Sequence, residues 1–288
     1  MTSATRRFRI VTYNVHRCRG LDRRVSPDRI VGVLGETNAD IIALQEVLSV
    51  SGASREADQS RFIAEELGLE YRVGQNRVLQ NGSYGNIVLS RFPIEHTRNY
   101  DVSCRGRECR GCLRVDVKLS ENHVLHVFNA HLGTSLLERR RQAHSLMSAD
   151  ILNHPGLTGP RVLLGDFNDW ELKLASRLLD SRLISADIRA HWEKRGSYPS
   201  LFPVLHLDHI YYDDSLRLER VRLVRSRIAR VASDHLPLYA DFKLGHADEG
   251  VTAFHPRMIQ RGILGLDAGR DIRIEAGRAE RQQGKSRS

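Results

Sequence analysis

The sequence is poor in cysteine and in long apolar runs, and each shortage excludes a class of protein. Four cysteines in 288 residues are too few for a disulfide-rich secreted module. No apolar run approaches the roughly 18 residues that a membrane-spanning helix needs. The start is basic, but no apolar segment of a secretory signal follows it. We therefore expect no integral membrane segment and a cytoplasmic location.

Aromatic residues make up only 6% of the chain, whereas basic residues are abundant. The 44 Lys and Arg residues exceed the 35 Asp and Glu residues, which gives a net charge of +9. An excess of this size favours an anionic partner such as nucleic acid, an anionic membrane surface or a phosphoester substrate. It does not choose among them, and a protein that is merely rich in arginine would look the same. Nothing in the composition indicates an oligomeric state.

The pattern of apolar residues predicts one large domain of mixed strands and helices over 8–244. Residues 1–7 are predicted to be a flexible lead-in, and 245–288 a basic, poorly ordered or peripheral tail. Strands are predicted at 8–14, 41–47, 86–91, 112–119, 123–130, 161–165, 207–212 and 236–243, and helices at about 27–37, 55–68, 135–153 and 170–180. Strands with helices between them are typical of a layered α/β domain.

Seven polar clusters lie at the ends of apolar runs. They are Tyr13-Asn14-Val15-His16, Leu44-Gln45-Glu46-Val47, Tyr84-Gly85-Asn86, Asn129-Ala130-His131-Leu132, Gly165-Asp166-Phe167-Asn168, Leu207-Asp208-His209 and Ser233-Asp234-His235-Leu236-Pro237. Acids, amides and imidazoles are costly to bury unless they pair or bind something. If these strands share a sheet edge, the clusters converge on one pocket.

The residue types in these clusters are those that metal-assisted phosphodiester hydrolysis requires. Asn14, Glu46, Asp166 and Asp234 offer the carboxylate and amide oxygens that a hard divalent cation prefers. An attacking water needs a carboxylate to orient or deprotonate it, and the charge that develops on phosphorus oxygens needs cationic or amide donors. A His–Asp pair holds an imidazole in one tautomer for this work.

Three of the motifs, in this order, resemble those of the endonuclease/exonuclease/phosphatase superfamily. They are Gln45-Glu46, Gly165-Asp166-Phe167-Asn168 and Ser233-Asp234-His235-Leu236-Pro237, and the resemblance runs from about Ile10 to Leu238. It implies the deoxyribonuclease-I-like fold, an α/β four-layer sandwich in which two packed mixed β-sheets are flanked by helices. It also implies a Mg2+-dependent phosphoric-ester hydrolase, with Mn2+ as a substitute.

The resemblance also implies a role for each matching residue. The positions that match the family's metal site are Asn14, Glu46 and Asp234. Those that match its catalytic residues are His131, Asp166, Asn168, Asp208 and His235. Asn86 matches a substrate-binding position. Asp166 would align the attacking water, and Asp208 would orient His235. His16 and His131 depart from the pattern of the apurinic endonucleases, which usually carry Asp and Tyr there. These departures argue against an abasic-site enzyme.

Two arginine-rich stretches allow more than one interpretation. Arg139 and Arg140 open a predicted helix after the His131 loop, where they would contact substrate phosphates or simply form a solvated helix face. Six arginines precede the Asp234-His235 loop, and we expect several of them to form a basic stripe on a strand or a sheet edge: Arg217, Arg220, Arg222, Arg225, Arg227 and Arg230. No aromatic residue interleaves with them, so a base-stacking groove is not indicated.

Cys104, Cys109 and Cys112 have a C-x4-C-x2-C spacing that partly resembles a metal motif. A fourth ligand is not local, so free thiols are the favoured interpretation.

The sequence therefore predicts a phosphodiesterase in which an aligned water attacks phosphorus in line. Its substrate is either nucleic acid or a phospholipid or other small phosphodiester. The alternative is a catalytically silent binding protein of the same fold that recognises anionic ligands.

Overall fold

The computed structural model describes residues 7–79, 81–170, 178–186 and 196–245. Strands β1 to β12 are Arg7–Asn14, Ile41–Ser49, Glu70–Leu79, Gly82–Ser90, Ile94–Asp101, Gly111–Ser120, His123–His131, Arg161–Asp166, Ile184–Ser185, Asp208–Tyr212, Leu216–Leu223 and Leu238–Leu244. Helices α1 to α4 are Pro27–Thr37, Gln59–Leu67, Leu136–Leu146 and Ala229–Ala232, and a 3₁₀ turn spans His16–Cys18.

The twelve strands of the described residues form two six-stranded mixed sheets. The first sheet has the order β11-β12-β1-β2-β4-β3, and the second has the order β5-β6-β7-β8-β10-β9. Near the middle of each sheet lies one parallel pair, β1 with β2 and β7 with β8. Because the carboxyl ends of parallel strands meet at the same edge, the residues that end these strands become neighbours.

The two sheets pack face to face, and strand β7 shows how. Leu125 and Val127 belong to the main apolar core, which also contains Ile10 and Leu44 of the first sheet. Phe128, the next residue along, belongs to a second core. Alternate side chains of a strand point to opposite faces, so β7 has one face on the first sheet and the other on the second core.

Helices cover the outer faces of both sheets. Ile30 of α1 and Ile63 of α2 belong to the main core together with the first sheet. Ala143 and Leu146 of α3 pack with Phe128 and the rest of the second core. The α/β four-layer sandwich expected from the sequence is therefore confirmed.

All eight predicted strands are present, and the four that were missed are the edge strands β3, β5, β9 and β11. An edge strand buries little apolar area, so its sequence carries a weak apolar signal. The expected basic stripe is found in part: Arg217, Arg220 and Arg222 are exposed on edge strand β11.

The predicted helix at 135–153 is wrong in its length, because α3 ends at Leu146 and turns follow it. Most of the predicted helix at 170–180 lies outside the described residues, as do 1–6 of the lead-in and 246–288 of the tail. Arg7 is the first residue of β1 rather than part of the lead-in. None of the helices in the described ranges has the length and hydropathy needed to cross a bilayer.

Candidate active site

The amide of Asn14 joins two carboxylates from different sheets. Its Nδ2 donates to Glu46 Oε1 at 3.1 Å and to Asp166 Oδ2 at 3.0 Å. Asn14 ends β1, Glu46 lies on the neighbouring parallel strand β2, and Asp166 ends β8 of the second sheet. The amide oxygen of Asn14 accepts from the backbone N–H of His16 at 3.0 Å, which fixes the orientation of the side chain.

A β-bulge places the side chain of Glu46. The pairing of β2 with β4 shifts register between Leu44 and Val47, and Glu46 has a φ of 59°. A bulge re-aims the side chains of a strand, and a left-handed φ in a non-glycine residue is uncommon. In a regular strand, side chains alternate strictly between the two faces of the sheet. The bulge frees the Glu46 side chain from this alternation.

Gly165 allows β8 to deliver Asp166 to the site. Its φ is 146°, and a Cβ at this position would lie 1.8 Å from the carbonyl oxygen of Ala130 on β7. Register pairs His131 with Asp166 on one side and Asp208 with Asp166 on the other. Asp166 is thereby held between His131 and Asp208.

His131 and Asn168 complete this side of the site. Nε2 of His131 lies 3.5 Å from Asp166 Oδ2 and 3.4 Å from Nδ2 of Asn168. Asn168 also donates to the carbonyl oxygen of Leu132 at 3.0 Å, and its backbone N–H donates to Asp166 Oδ1 at 3.0 Å. The turn after β8 thus ties the carboxylate and the amide together.

Asp208 holds His235 in place from the start of β10. Nδ1 of His235 lies 2.8 Å from Asp208 Oδ2, and its Nε2 lies 3.6 Å from Asp166 Oδ2. The ring of Tyr198 packs against the imidazole with centroids 5.0 Å apart. With Nδ1 occupied by Asp208, Nε2 is the nitrogen that faces the other carboxylate.

Asp234, the residue before His235, borders this arrangement rather than joining its centre. Its Oδ1 accepts from Ser233 Oγ at 3.3 Å and lies 3.5 Å from Nδ1 of His16. Ser233 in turn donates to the backbone carbonyl of Asn14 at 2.8 Å.

Burial and neighbouring charges shift the pKa values of the two histidines in opposite directions. Burial and the cation of Arg110 lower the pKa of His131 to about 3, so this imidazole is neutral at physiological pH. For His235, burial favours the neutral form, but the charges of Asp208 and Asp166 outweigh it and raise the pKa to about 10. The site therefore holds one neutral and one cationic imidazole.

The two carboxylates at the Asn14 amide also differ. Burial, with a further contribution from Asp208, raises the pKa of Asp166 to about 6 against the opposing charge of His235. Burial also opposes ionisation of Glu46. The neighbouring His131 and the hydrogen bonds from Asn14 and Tyr84 nevertheless hold the Glu46 pKa below its ordinary value. Groups with shifted pKa values in one cluster are typical of a catalytic site.

The donor set at Asn14, Glu46 and Asp166 fits a hard divalent cation. Glu46 and Asp166 offer carboxylate oxygens, which Mg2+ prefers, and Glu46 is ionised at neutral pH. The Asn14 amide turns its nitrogen to both carboxylates and holds them together. Within the ranges that the structure describes, no three His, Cys, Asp or Glu side chains form a complete ligand cluster. Mg2+ in proteins commonly binds through one or two carboxylates and keeps several waters.

Three of the residues named from the sequence lie apart from this cluster. Asn86 is fully buried, and its amide donates to the backbone carbonyls of Gly111 and Asn129, which favours a role between the sheets over contact with a ligand. Arg139 is also buried, donating to the carbonyl of Thr134, and Arg140 is exposed on α3.

The cysteines are free thiols in the structure. Cys104 and Cys109 lie in the loop between β5 and β6, Cys112 is buried on β6, and Cys18 is buried in the 3₁₀ turn. None of them belongs to a metal-ligand cluster in the described residues.

Sequence reasoning missed Tyr84 and Arg110. Tyr84 forms a side-chain hydrogen bond with Glu46 and lies on β4, where it pairs with Leu48 of β2. Arg110 is only 6% exposed, pairs with Glu108 at 3.0 Å and influences His131 electrostatically. Tyr84 belongs to the polar cluster Tyr84-Gly85-Asn86, but it was given no role of its own. Arg110 lies in an arginine-rich loop where no local signal distinguishes it.

Comparison with known proteins gives relatives of similar length and fold. Over 248 residues the chain is 34% identical to YbhP of Escherichia coli K12, covering 82% of this chain and 96% of YbhP. An endonuclease/exonuclease/phosphatase structure from Beutenbergia cavernae superposes with a TM-score of 0.66 at 22% identity, covering 84% of this chain and 72% of that one. A mannosyl-6-phosphatase from Bacteroides thetaiotaomicron gives 0.65 at 18%, with coverages of 82% and 99%.

A family model matches residues 11–235, a range that begins on β1 and ends at His235. This range contains every strand end that contributes to the cluster around Asn14. The chain therefore belongs to the endonuclease/exonuclease/phosphatase family.

Proposed function

We propose that the protein is a Mg2+-dependent phosphodiesterase in which an aligned water attacks phosphorus in line. The observation that carries the proposal is the meeting of two carboxylates and two imidazoles around one buried amide. Asn14, Glu46 and Asp166 are joined by hydrogen bonds of 3.0–3.1 Å, and His131 and His235 lie within 3.6 Å of Asp166. The family's phosphoesterase character supports the reaction class.

Each side chain of the cluster suits a distinct task. Asp166, with its raised pKa, accepts a hydrogen bond and then a proton from the attacking water. Cationic His235 donates from Nε2 to a phosphate oxygen, while Asp208 keeps its ring in one orientation. Neutral His131 and the amide of Asn168 offer further polar contacts to the same group. A bound Mg2+ supplies Lewis-acid stabilisation of negative charge on the phosphate.

The reaction is tested with bis-p-nitrophenyl phosphate in the presence of Mg2+ or Mn2+. Glu46→Gln and His235→Ala should each lower kcat/KM by about 10²-fold or more, because each removes charge complementarity at the reacting group. Glu95→Gln and His96→Ala are matched controls, since both residues are exposed on edge strand β5. Turnover near that of the wild type in Glu46→Gln or His235→Ala would contradict the proposal.

The alternative is a protein that binds anionic ligands without turning them over. It predicts tight cation binding together with no cleavage of any ester in the substrate panel described below. Isothermal titration with Mg2+ and Mn2+ on the same preparation distinguishes a silent protein from a misfolded one.

Among substrates, nucleic acid and a phospholipid or small phosphodiester both remain candidates, and one observation favours the lipid. Leu201, Phe202 and Val204 are 49%, 73% and 70% exposed. They lie in the segment that carries Tyr198, which packs against His235. Exposed apolar side chains beside a phosphoester site suit a substrate with an acyl chain better than a polar nucleic acid.

A panel of single-stranded DNA, RNA, sphingomyelin and phosphoinositide vesicles tests this choice. A phosphomonoester belongs in the same panel, because one structural neighbour is a mannosyl-6-phosphatase. If the lipid is the substrate, Phe202→Ser should raise KM for vesicles and leave KM for bis-p-nitrophenyl phosphate unchanged. Faster cleavage of DNA or RNA than of any vesicle would contradict the lipid preference.

A further inference from the structure

A pocket of about 290 Å³ opens beside Glu46. Its lining consists of Arg17, Glu46, Leu48, Arg77, Leu79, Tyr84 and Glu108. Glu46 and Tyr84 connect it directly to the cluster around Asn14. A ligand whose phosphoester lies at that cluster therefore has room for a further group in this pocket.

The lining holds two guanidinium groups and two carboxylates, and Arg110 adds a third guanidinium group beside Glu108. Arg17 and Arg77 are both exposed, and no carboxylate in the described parts of the chain forms an ion pair with either of them. Glu108 is already paired with Arg110 at 3.0 Å, and Nε of that buried arginine has no hydrogen-bond partner. The pocket thus favours an anion.

The backbone that carries Arg17 is held in an unusual conformation. His16, Arg17 and Cys18 have φ values of 46°, 55° and 56°, so three successive non-glycine residues are left-handed. Such a run costs free energy and persists only where the surroundings hold it. Buried Gln59 does so, because its Nε2 donates to the carbonyl of Arg17 at 2.8 Å and its Oε1 accepts from the N–H of Leu48 at 3.1 Å. One side chain therefore ties two walls of the pocket together.

A second irregularity places Arg77 in the lining of the pocket. The pairing of β3 with β4 shifts register between Gln75 and Arg77, and this shift sets Arg77 opposite Tyr84. Tyr84 is the residue whose side chain hydrogen-bonds Glu46. Arg77 is thus positioned across the strand pair from the group that reaches the candidate cation ligand.

We propose that this pocket binds a second phosphate group of the substrate, next to the phosphoester that is cleaved. The inference rests on the proposed function, since it assigns the reacting group to the Asn14 cluster. Arg17 and Arg77 bind the second phosphate through charge-assisted hydrogen bonds, which are stronger than neutral ones. The pocket is therefore the part of the site that selects substrates with two phosphates.

The first test measures binding of inorganic phosphate by calorimetry in EDTA, so that neither cation nor turnover contributes. The wild type should bind saturably, and the Arg17→Ala/Arg77→Ala double variant should bind at least about tenfold more weakly, since it loses both charge-assisted hydrogen-bond donors. The exposed pair Arg98→Ala/Arg217→Ala is the matched control for lost positive charge. No saturable binding, or equal affinity in the double variant, would overturn the proposal.

The second test compares two chromogenic substrates, the p-nitrophenyl ester of thymidine 5′-phosphate and the same ester carrying a 3′-phosphate. The wild type should have a lower KM for the bisphosphate, and the double variant should lose that difference while circular dichroism shows it folded. Equal KM values in the wild type contradict the second phosphate site. Failure to cleave either ester contradicts the proposed function instead, and the phosphate-binding result then stands separately.

Discussion

The contacts of Asp166 show how single residues create the chemistry of the site. Its carboxylate lies within 3.6 Å of two imidazoles that carry different charges, and it accepts from the Asn14 amide. Burial in this position raises the Asp166 pKa, which makes the carboxylate a better proton acceptor than an exposed aspartate. In the proposed reaction, the pairing of Asp208 with His235 supplies the cation for the developing phosphate charge.

Asp208→Asn tests the cationic state of His235. Asp208 is the largest of the charges that raise the His235 pKa, so its loss should lower that pKa. If the protonated imidazole is the active form, the alkaline limb of the kcat profile should move to lower pH, and kcat should fall by about 10²-fold. Hydrolysis of bis-p-nitrophenyl phosphate across neutral and alkaline pH measures both effects.

The exposed Asp214→Asn is the matched control and should leave the profile unchanged. An alkaline limb that stays in place in Asp208→Asn would mean that His235 does not act as the cation.

At the scale of the element, the site depends on where strands depart from regular geometry. Glu46 lies in a bulge of β2, Arg77 follows a register shift in β3, and Gly165 has a conformation that side chains rarely adopt. Each irregularity turns a side chain or an end of a strand toward the same region. Strained backbone of this kind accumulates at functional sites because regular strands alternate strictly.

Gly165→Ala should destabilise the protein strongly. The new Cβ would clash with the carbonyl of Ala130, and the φ of 146° is unfavourable for alanine. Strain and overpacking each cost about 1–3 kcal/mol, so the free energy of unfolding should fall by at least that amount. Urea-induced unfolding measures the change.

The matched control is Gly35→Ala in α1, where a new Cβ meets nothing within 4 Å. This variant should raise the free energy of unfolding by about 0.5–1 kcal/mol, because alanine favours a helix. Equal stability of the two variants would contradict the argument from strand geometry.

At the scale of the whole molecule, polar side chains hold the two sheets in register below the site. Asn129 on β7 donates to the carbonyls of Leu44 and Ile87 in the first sheet, and its Oδ1 accepts from Gln45 at 2.7 Å. Directional bonds fix the relative position of the sheets more narrowly than apolar packing does. These bonds hold β7, which ends at His131, against the part of β2 that precedes Glu46.

Asn129→Ala should lower both stability and activity. It leaves the carbonyls of Leu44 and Ile87 and the amide of Gln45 buried without this partner, at a cost of about 2 kcal/mol or more. Since Leu44 and Gln45 directly precede Glu46, kcat should also fall. Urea-induced unfolding and bis-p-nitrophenyl phosphate hydrolysis measure the two effects.

Asn99→Ala is the comparison variant, because Asn99 is exposed and bonds one backbone carbonyl. Its free energy of unfolding should change by less than about 0.5 kcal/mol. A loss in Asn129→Ala no larger than this would contradict a role in fixing the sheets.

The local pattern of the sequence was sufficient to predict eight strands and to identify the polar residues at or near their ends. Apolar periodicity and turn residues act over a few positions, so Asn14, Glu46, Asp166 and His235 could be identified without any knowledge of contacts. The edge strands were not predicted, because they bury too little apolar surface to produce this pattern.

Only the tertiary structure decided which of these residues meet and which do not. It placed Asn86 between the sheets, buried Arg139, and brought Tyr84 and Arg110 to the site. The physical reason is that such contacts join residues far apart in the chain. They depend on register, bulges and left-handed turns, and a shift of one residue in a strand reverses the direction of every side chain that follows.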